Sequence, residues 1–164
     1  MSYLIQFERV KRYLGKVNPS TKYHGDQIEY EDNLWSFFQN AWHLKDWIKN
    51  DSAIIKIPIE KIVGNYNSLK ICADMANRTK HYQLTMNNRL NAKHIRTDVT
   101  VKLPVNLYDI MTSPEKPYPI IKASGSTYNY VIEDKYGNTY EAIGLAIKIV
   151  EDWEDIICKH IRNK

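Results

Sequence analysis

The sequence contains little cysteine and no long apolar run. Its 164 residues include two cysteines, Cys72 and Cys158, each among apolar residues of a predicted helix. Two separate thiols supply neither a disulfide framework nor a CxxC metal site. No apolar run approaches the roughly 20 residues that span a bilayer, and the charges at Glu8 and Arg9 come too early for a signal peptide. We therefore expect a cytoplasmic protein in a reducing compartment, with no membrane partner.

The motifs of several common active sites are also absent. The sequence has no GxxxxGK[ST] phosphate loop, no GxSxG nucleophile turn and no GxGxxG after a predicted strand. No cofactor is expected. Cys72 lies on an apolar helix face, where a buried packing role is commoner than a nucleophilic one.

Acidic residues are missing from one stretch, residues 75–97, which holds the basic side chains Arg78, Lys80, Arg89, Lys93 and Arg96. The net charge of the whole chain is only +4, so the basic character is local. Such a stretch is either a solvated surface or a surface that binds RNA. In the second case Arg89, Lys93 and Arg96 contact the nucleic acid and Tyr82 stacks on a base.

What the sequence does contain is a clear helical and strand periodicity. Helices are predicted at Tyr3–Val17, Gln27–Asn50, a short segment after Pro58, 68–84 and 142–161. Residues 95–103 alternate as a strand, with Ile95, Thr97, Val99, Val101 and Leu103 on one face. Further strands are predicted at 118–123, 128–133 and Thr139–Glu141, with a hairpin turn at 134–138.

This order of elements predicts one α+β domain over residues 1–164. Its helical bundle comprises about four helices, from residues 1–85 and 142–161, and an antiparallel β-sheet is inserted before the C-terminal helix, at about 95–141. A hydrophobic fraction of 43% suits a buried core. We expect that core to bury Phe38, Trp42, Cys72, Ala76, Ile149 and Trp153 together.

The predicted helix 68–84 carries a polar stripe between two apolar faces. At about 100° per residue, Asp74, Asn77 and His81 fall in line. A stripe in this position is partly buried, so its members need hydrogen-bonding partners. On the long second helix His43 and Asp46 are three residues apart and therefore adjacent.

Three interpretations of these polar residues are open. A histidine bonded to a carboxylate is a general base. His43, Asp46, Asp74 and His81 are a candidate metal-ligand set, although no HxxxH or ExxH pattern repeats, as it does in paired-helix metal sites. The third interpretation, which we favour, is a structural network that fixes the packing of the helices.

The run Asn77-Arg-Thr-Lys-His81 resembles the polar signature near the end of a bundle helix in HEPN-type domains, small helical proteins of prokaryotic defence and toxin systems. The resemblance covers only the helical part of the chain. Many such domains are metal-independent RNases. The resemblance implies that His81 acts as general acid or base at the 2′-hydroxyl, and that Arg78 or Lys80 offsets charge on the phosphorane. Asn77 and Asp74 complete this candidate catalytic set.

Two functions therefore remain open from the sequence. The first is a non-catalytic interaction module, a subunit of a defence or toxin system or a homodimer, in which the polar stripe is structural. The second is a HEPN-like RNase that acts through His81. An open His81 beside a basic groove favours the RNase, whereas a closed and fully bonded His81 favours the interaction module.

Overall fold

The computed structural model describes residues 2–18, 27–78, 90–102 and 125–162. Four helices come first: α1 (Tyr3–Val17), α2 (Gln27–Asn50), α3 (Ile59–Val63) and α4 (Asn67–Arg78). The strands β1 (Lys93–Lys102), β2 (Gly125–Glu133) and β3 (Thr139–Glu141) follow, and helix α5 (Ala142–Ile157) comes last. The predicted α+β fold, with an antiparallel sheet ahead of the C-terminal helix, is confirmed.

Side-chain caps fix where the helices begin. Ser2 accepts a hydrogen bond from the Leu4 N–H at the start of α1, and Glu141 accepts from the first-turn N–H groups of α5. Such caps satisfy backbone donors that have no partner inside the helix. The carboxylate of Asp51, just past α2, accepts from the Tyr3 N–H at 2.9 Å. This bond ties the start of α1 to the end of α2.

The sheet has the order β1-β2-β3, with both pairs antiparallel. A tight turn at residues 134–138 joins β2 to β3, as the sequence predicted, and Gly137 takes a φ of 82° there. The buried Asp134 carboxylate accepts from the Tyr136 and Asn138 N–H groups at 2.9 and 3.0 Å. The turn is therefore held by an aspartate side chain as well as by glycine.

The prediction that Ile95 shares a face of β1 with Thr97 is wrong, because the alternation is interrupted at Ile95. A register shift between His94 and Arg96 places Ile95 in a β-bulge, and its side chain is 37% exposed. A bulge adds one residue to a strand and so displaces the alternation. His94 and Thr97 are three residues apart, yet their side chains meet at 3.0 Å on the inner side.

The core forms one cluster that draws on α1, α2, α4, β2 and α5. Phe38, Cys72, Ala76, Ile149 and Trp153 are buried, as predicted. Trp42 is not: it is only half-buried and packs at the edge of the cluster.

Some predicted bounds also differ. Helix α4 begins at Asn67, one residue early, and its described part ends at Arg78, so the predicted continuation to residue 84 lies outside the described residues. The C-terminal segment is α-helical only to Ile157 and continues as a π-helical turn, Cys158–Arg162. The strand predicted at 118–123 also lies outside the described ranges. No helix in the described part of the chain is long and apolar enough to cross a membrane.

Candidate functional site

Asp74, the first residue of the predicted polar stripe, lies inside the protein rather than on an open surface. Every residue from Ser68 to Ala76 except the half-buried Lys70 is buried, because α2, α5 and β1 all pack against this helix. Asp74 is only 1% exposed. A carboxylate that is so deeply buried requires hydrogen-bond donors close by.

Two members of the predicted catalytic set form hydrogen bonds with the backbone of a single residue, Ala92. Asp74 accepts a hydrogen bond from the N–H of Ala92 at 3.1 Å. Arg78 donates from Nε to the carbonyl oxygen of the same residue at 2.6 Å. A second nitrogen of Arg78 donates to the side-chain oxygen of Asn91 at 2.7 Å. Asp74 and Arg78 thus hold both polar groups of the fully buried Ala92, directly before β1.

Asn91 explains why this junction needs support. Its φ is 54°, a conformation that side chains other than glycine adopt at a cost, although asparagine tolerates it better than most. The chain turns here from the helical layer into the sheet. The guanidinium of Arg78 and the carboxylate of Asp74 hold that turn in place.

The third described member, Asn77, binds its own helix. Its side-chain amide donates to the carbonyl oxygen of Ala73 at 2.6 Å. This bond to the preceding turn is a local one, of the kind that polar side chains make within helices. Lys80 and His81, the other two residues of the set, lie outside the described residues.

The predicted RNA-contacting residues are partly described. Lys93 pairs with Glu133 across the strands at 3.7 Å, and Arg96 pairs with Asp98 at 3.3 Å. Both basic side chains are more than half exposed. Ion pairs of this exposure are weak and leave the cations open to other partners. Tyr82 and Arg89 lie outside the described ranges.

The alternative metal-ligand set does not assemble in the described structure. No group of three His, Cys, Asp or Glu side chains among residues 2–18, 27–78, 90–102 and 125–162 is placed to hold a metal ion. Asp46 is half exposed and binds Lys45 Nζ at 2.8 Å, while Asp74 faces Ala92. His43 and Asp46 therefore do not form such a group with Asp74, and His81 is not described.

Cys72 is a core residue, as expected. It is fully buried, and burial raises the pKa of its thiol well above the ordinary value. Its Sγ donates to the Phe38 carbonyl oxygen at 3.5 Å. A buried neutral thiol is a poor nucleophile.

A second polar cluster was not predicted from the sequence. Ser68, at the start of α4, donates a hydrogen bond to the buried carboxylate of Asp152 on α5. Lys148 reaches the other oxygen of that carboxylate at 2.6 Å. The Tyr66 hydroxyl donates to Asp155 at 2.7 Å, and this bond together with burial raises the pKa of Tyr66 to about 12.

One sequence signal did point to this cluster. Asp152 lies between the apolar residues Ile149, Trp153 and Ile156 at helical spacing, so its side chain borders the buried face. Its partner Ser68 is 84 residues away in the chain, and no local pattern connects the two.

Comparison of the chain with protein-family models, curated proteins and solved structures gave no match.

Proposed function

We propose that this protein is a non-catalytic interaction module, of the kind that serves as a subunit of a prokaryotic defence or toxin system. The observation that supports the proposal is the double hydrogen bonding of Ala92 by Asp74 and Arg78. General acids, bases and charge-stabilising groups must reach a substrate. Here two of the five candidate catalytic side chains bind buried backbone groups, and Asn77 binds its own helix.

In this proposal Asp74 and Arg78 have a structural role and do not contact the partner. Asp74 and Arg78 fix the position at which β1 leaves the helical layer, and thereby the position of the sheet's outer face. That face carries Lys93, Arg96 and Asp98 as exposed charges. In this proposal the outer face of the sheet binds another protein, which could be a second copy of this chain.

A second candidate, the HEPN-like metal-independent RNase, has one observation in its favour. Arg78 also borders a surface hollow of about 560 Å³ whose other wall is α2, with Asp32, Trp35, Ser36 and Gln39. An arginine and a tryptophan at one hollow suit a phosphate and a stacked base. In this candidate His81 is the general acid or base, aided by Arg78 or Lys80.

One paired experiment separates the two candidates. Thermal unfolding and cleavage of a mixed-sequence RNA are measured side by side in EDTA for the wild type, Arg78→Ala and His81→Ala. Arg12→Ala is the matched control, because Arg12 is exposed on α1. The interaction module predicts no cleavage by any form. It also predicts that Arg78→Ala lowers the free energy of unfolding by about 1–3 kcal/mol, since the Ala92 carbonyl loses its donor.

The control substitution should change the free energy of unfolding by less than about 0.5 kcal/mol. RNA cleavage by the wild type that persists in EDTA, and that His81→Ala abolishes without loss of stability, would remove the interaction module and establish the RNase. Cleavage that EDTA suppresses would contradict both candidates, because the RNase proposed here is metal-independent.

A further inference from the structure

A second described cleft lies away from the Ala92 junction, at the opposite end of α4. It measures about 650 Å³ and opens between the start of α4, the end of β3 and the first turns of α5. This volume falls within the usual range for small-molecule sites, roughly 300–1,000 Å³. Ser68 at the cleft and Arg78 at the junction are ten residues apart, or about 15 Å along the helix. The cleft is therefore independent of the proposed function.

The cleft has an apolar floor and two tyrosines in its wall. Ile71 and Leu145, both nearly buried, line it together with Tyr66 and Tyr140. The hydroxyl of each tyrosine is held by a carboxylate, Tyr66 by Asp155 and Tyr140 by Asp134 at 3.1 Å. Anchored rings lose little conformational freedom when a ligand binds, which favours affinity.

Helices α4 and α5 both begin at this cleft, and a carboxylate side chain of the protein lies at the start of each. Glu141 accepts from the N–H groups of Ile143 and Gly144, the first turn of α5, at 3.2 and 2.8 Å. Asp152 is bound to Ser68 in the first turn of α4. The positive ends of both helix dipoles are therefore already offset by carboxylates. An anionic ligand would have to displace them or lie beside them.

Lys148, the cationic side chain at the cleft, is also paired with a carboxylate. Lys148 binds Asp152, and this hydrogen bond raises the lysine pKa, so the ammonium stays charged at neutral pH. The charged side chains that line the cleft are thus the carboxylates of Glu141 and Asp152 and the paired ammonium of Lys148. Each carboxylate oxygen can accept more than one hydrogen bond. The remaining acceptor capacity of these oxygens and the tyrosine rings favour a positive group.

We propose that this cleft binds an organic ammonium compound with a short apolar or aromatic body. The apolar body would lie on Ile71 and Leu145, and the ammonium group would lie at the carboxylates of Glu141 and Asp152 beside the tyrosines. Gly144, which also lines the cleft, leaves room for the ligand because it has no side chain.

Three probes of nearly equal size test the charge preference on the full chain: 2-phenylethylammonium, 2-phenylethanol and phenylacetate. Titration calorimetry or NMR shift mapping measures the affinity of each. The ammonium should bind saturably and about tenfold or more tightly than the alcohol, because it adds charge-assisted hydrogen bonds. Phenylacetate should bind more weakly than the alcohol.

Two variants locate the binding. Gly144→Leu fills the cleft and should abolish binding of the ammonium and of the alcohol. Gly15→Leu is the matched control, since Gly15 is an exposed helical glycine with open space around it. Glu141→Gln keeps a side-chain oxygen that can cap α5 but removes the charge. It should weaken the ammonium several-fold and leave the alcohol unchanged.

The Glu141 variant keeps the proposal falsifiable if Gly144→Leu impairs folding, because an added Cβ there meets the Glu141 carboxylate at 3.1 Å. Absence of saturable ammonium binding to the wild type would overturn the proposal. So would equal affinity for the three probes, or ammonium binding that neither variant changes.

Discussion

Replacement of Trp153 by alanine should lower stability more than any other single tryptophan truncation among the described residues. Trp153 is fully buried on α5 and belongs to the central cluster. Truncation of a buried tryptophan removes its apolar contacts and leaves a cavity, at a cost of about 3–5 kcal/mol. In a domain of this size each kcal/mol lowers the melting temperature by about 2–4 °C. We therefore expect a fall of about 6–20 °C.

Trp42→Ala is the internal control. Trp42 is half-buried at the edge of the core, and Lys45 Nζ lies 4.9 Å from its ring centroid. Its truncation loses part of the burial and one cation–π contact, so about 1–2 kcal/mol is expected. The comparison is informative because the sequence alone placed both tryptophans in the core.

Trp153→Phe isolates the polar part of the indole. No acceptor in the described part of the chain lies within hydrogen-bonding distance of the Trp153 N–H. Phenylalanine keeps an aromatic ring and removes a donor whose unpaired burial costs about 1–3 kcal/mol, which offsets part of the lost packing. This variant should therefore lose less than half of what Trp153→Ala loses. Urea unfolding at 25 °C measures all three. Equal losses for Trp42→Ala and Trp153→Ala would refute this account of the core.

Two further predictions concern local conformation and acid sensitivity. Gly137→Ala should lower the free energy of unfolding by about 1–2 kcal/mol, because an L side chain resists the φ of 82°, whereas Gly15→Ala in α1 should be neutral or stabilising; urea unfolding of both would show it, and a neutral Gly137→Ala would contradict it. For pH, the hydrogen bond from the Tyr3 N–H lowers the pKa of Asp51 below 3.8 in the folded protein. The unfolded chain takes up this proton first, so the stability that Asp51 contributes is present above pH 3.8 and is lost as the pH falls through its folded value. In melting experiments from pH 6 to pH 2, Asp51→Asn should reduce the fall of the melting temperature at acidic pH. An unchanged fall would contradict this role of Asp51.

The helices were predictable because their periodicity is strong and their ends carry local signals. The bounds of α1 and α2 match the predicted Tyr3–Val17 and Gln27–Asn50. Periodicity shows which residues share a face, but it does not show which neighbour covers that face. Helix α2 is apolar nearly all round, so the pattern did not distinguish the half-buried Trp42 from the buried Phe38.

The errors in the sheet and the missed cleft have a different cause. Alternation in β1 placed Ile95 on the same face as Thr97, but the bulge depends on pairing with β2, some 35 residues further along the chain. The contact between Ser68 and Asp152 spans 84 residues. Both features arise from contacts between residues far apart in the chain, which local sequence patterns do not reveal.

The polar stripe of α4 shows why sequence alone left two functions open. A catalytic stripe and a structural one both place polar side chains between apolar faces, so their patterns are the same. What separates them is the identity of the partner. In the described structure Asp74 and Arg78 bind the N–H and the carbonyl of Ala92, groups that would otherwise be buried without partners just before β1. Backbone groups of this kind need permanent partners, whereas a catalytic group must exchange its partner for a substrate. The hydrogen bonds of Asp74 and Arg78 therefore serve the fold at this junction.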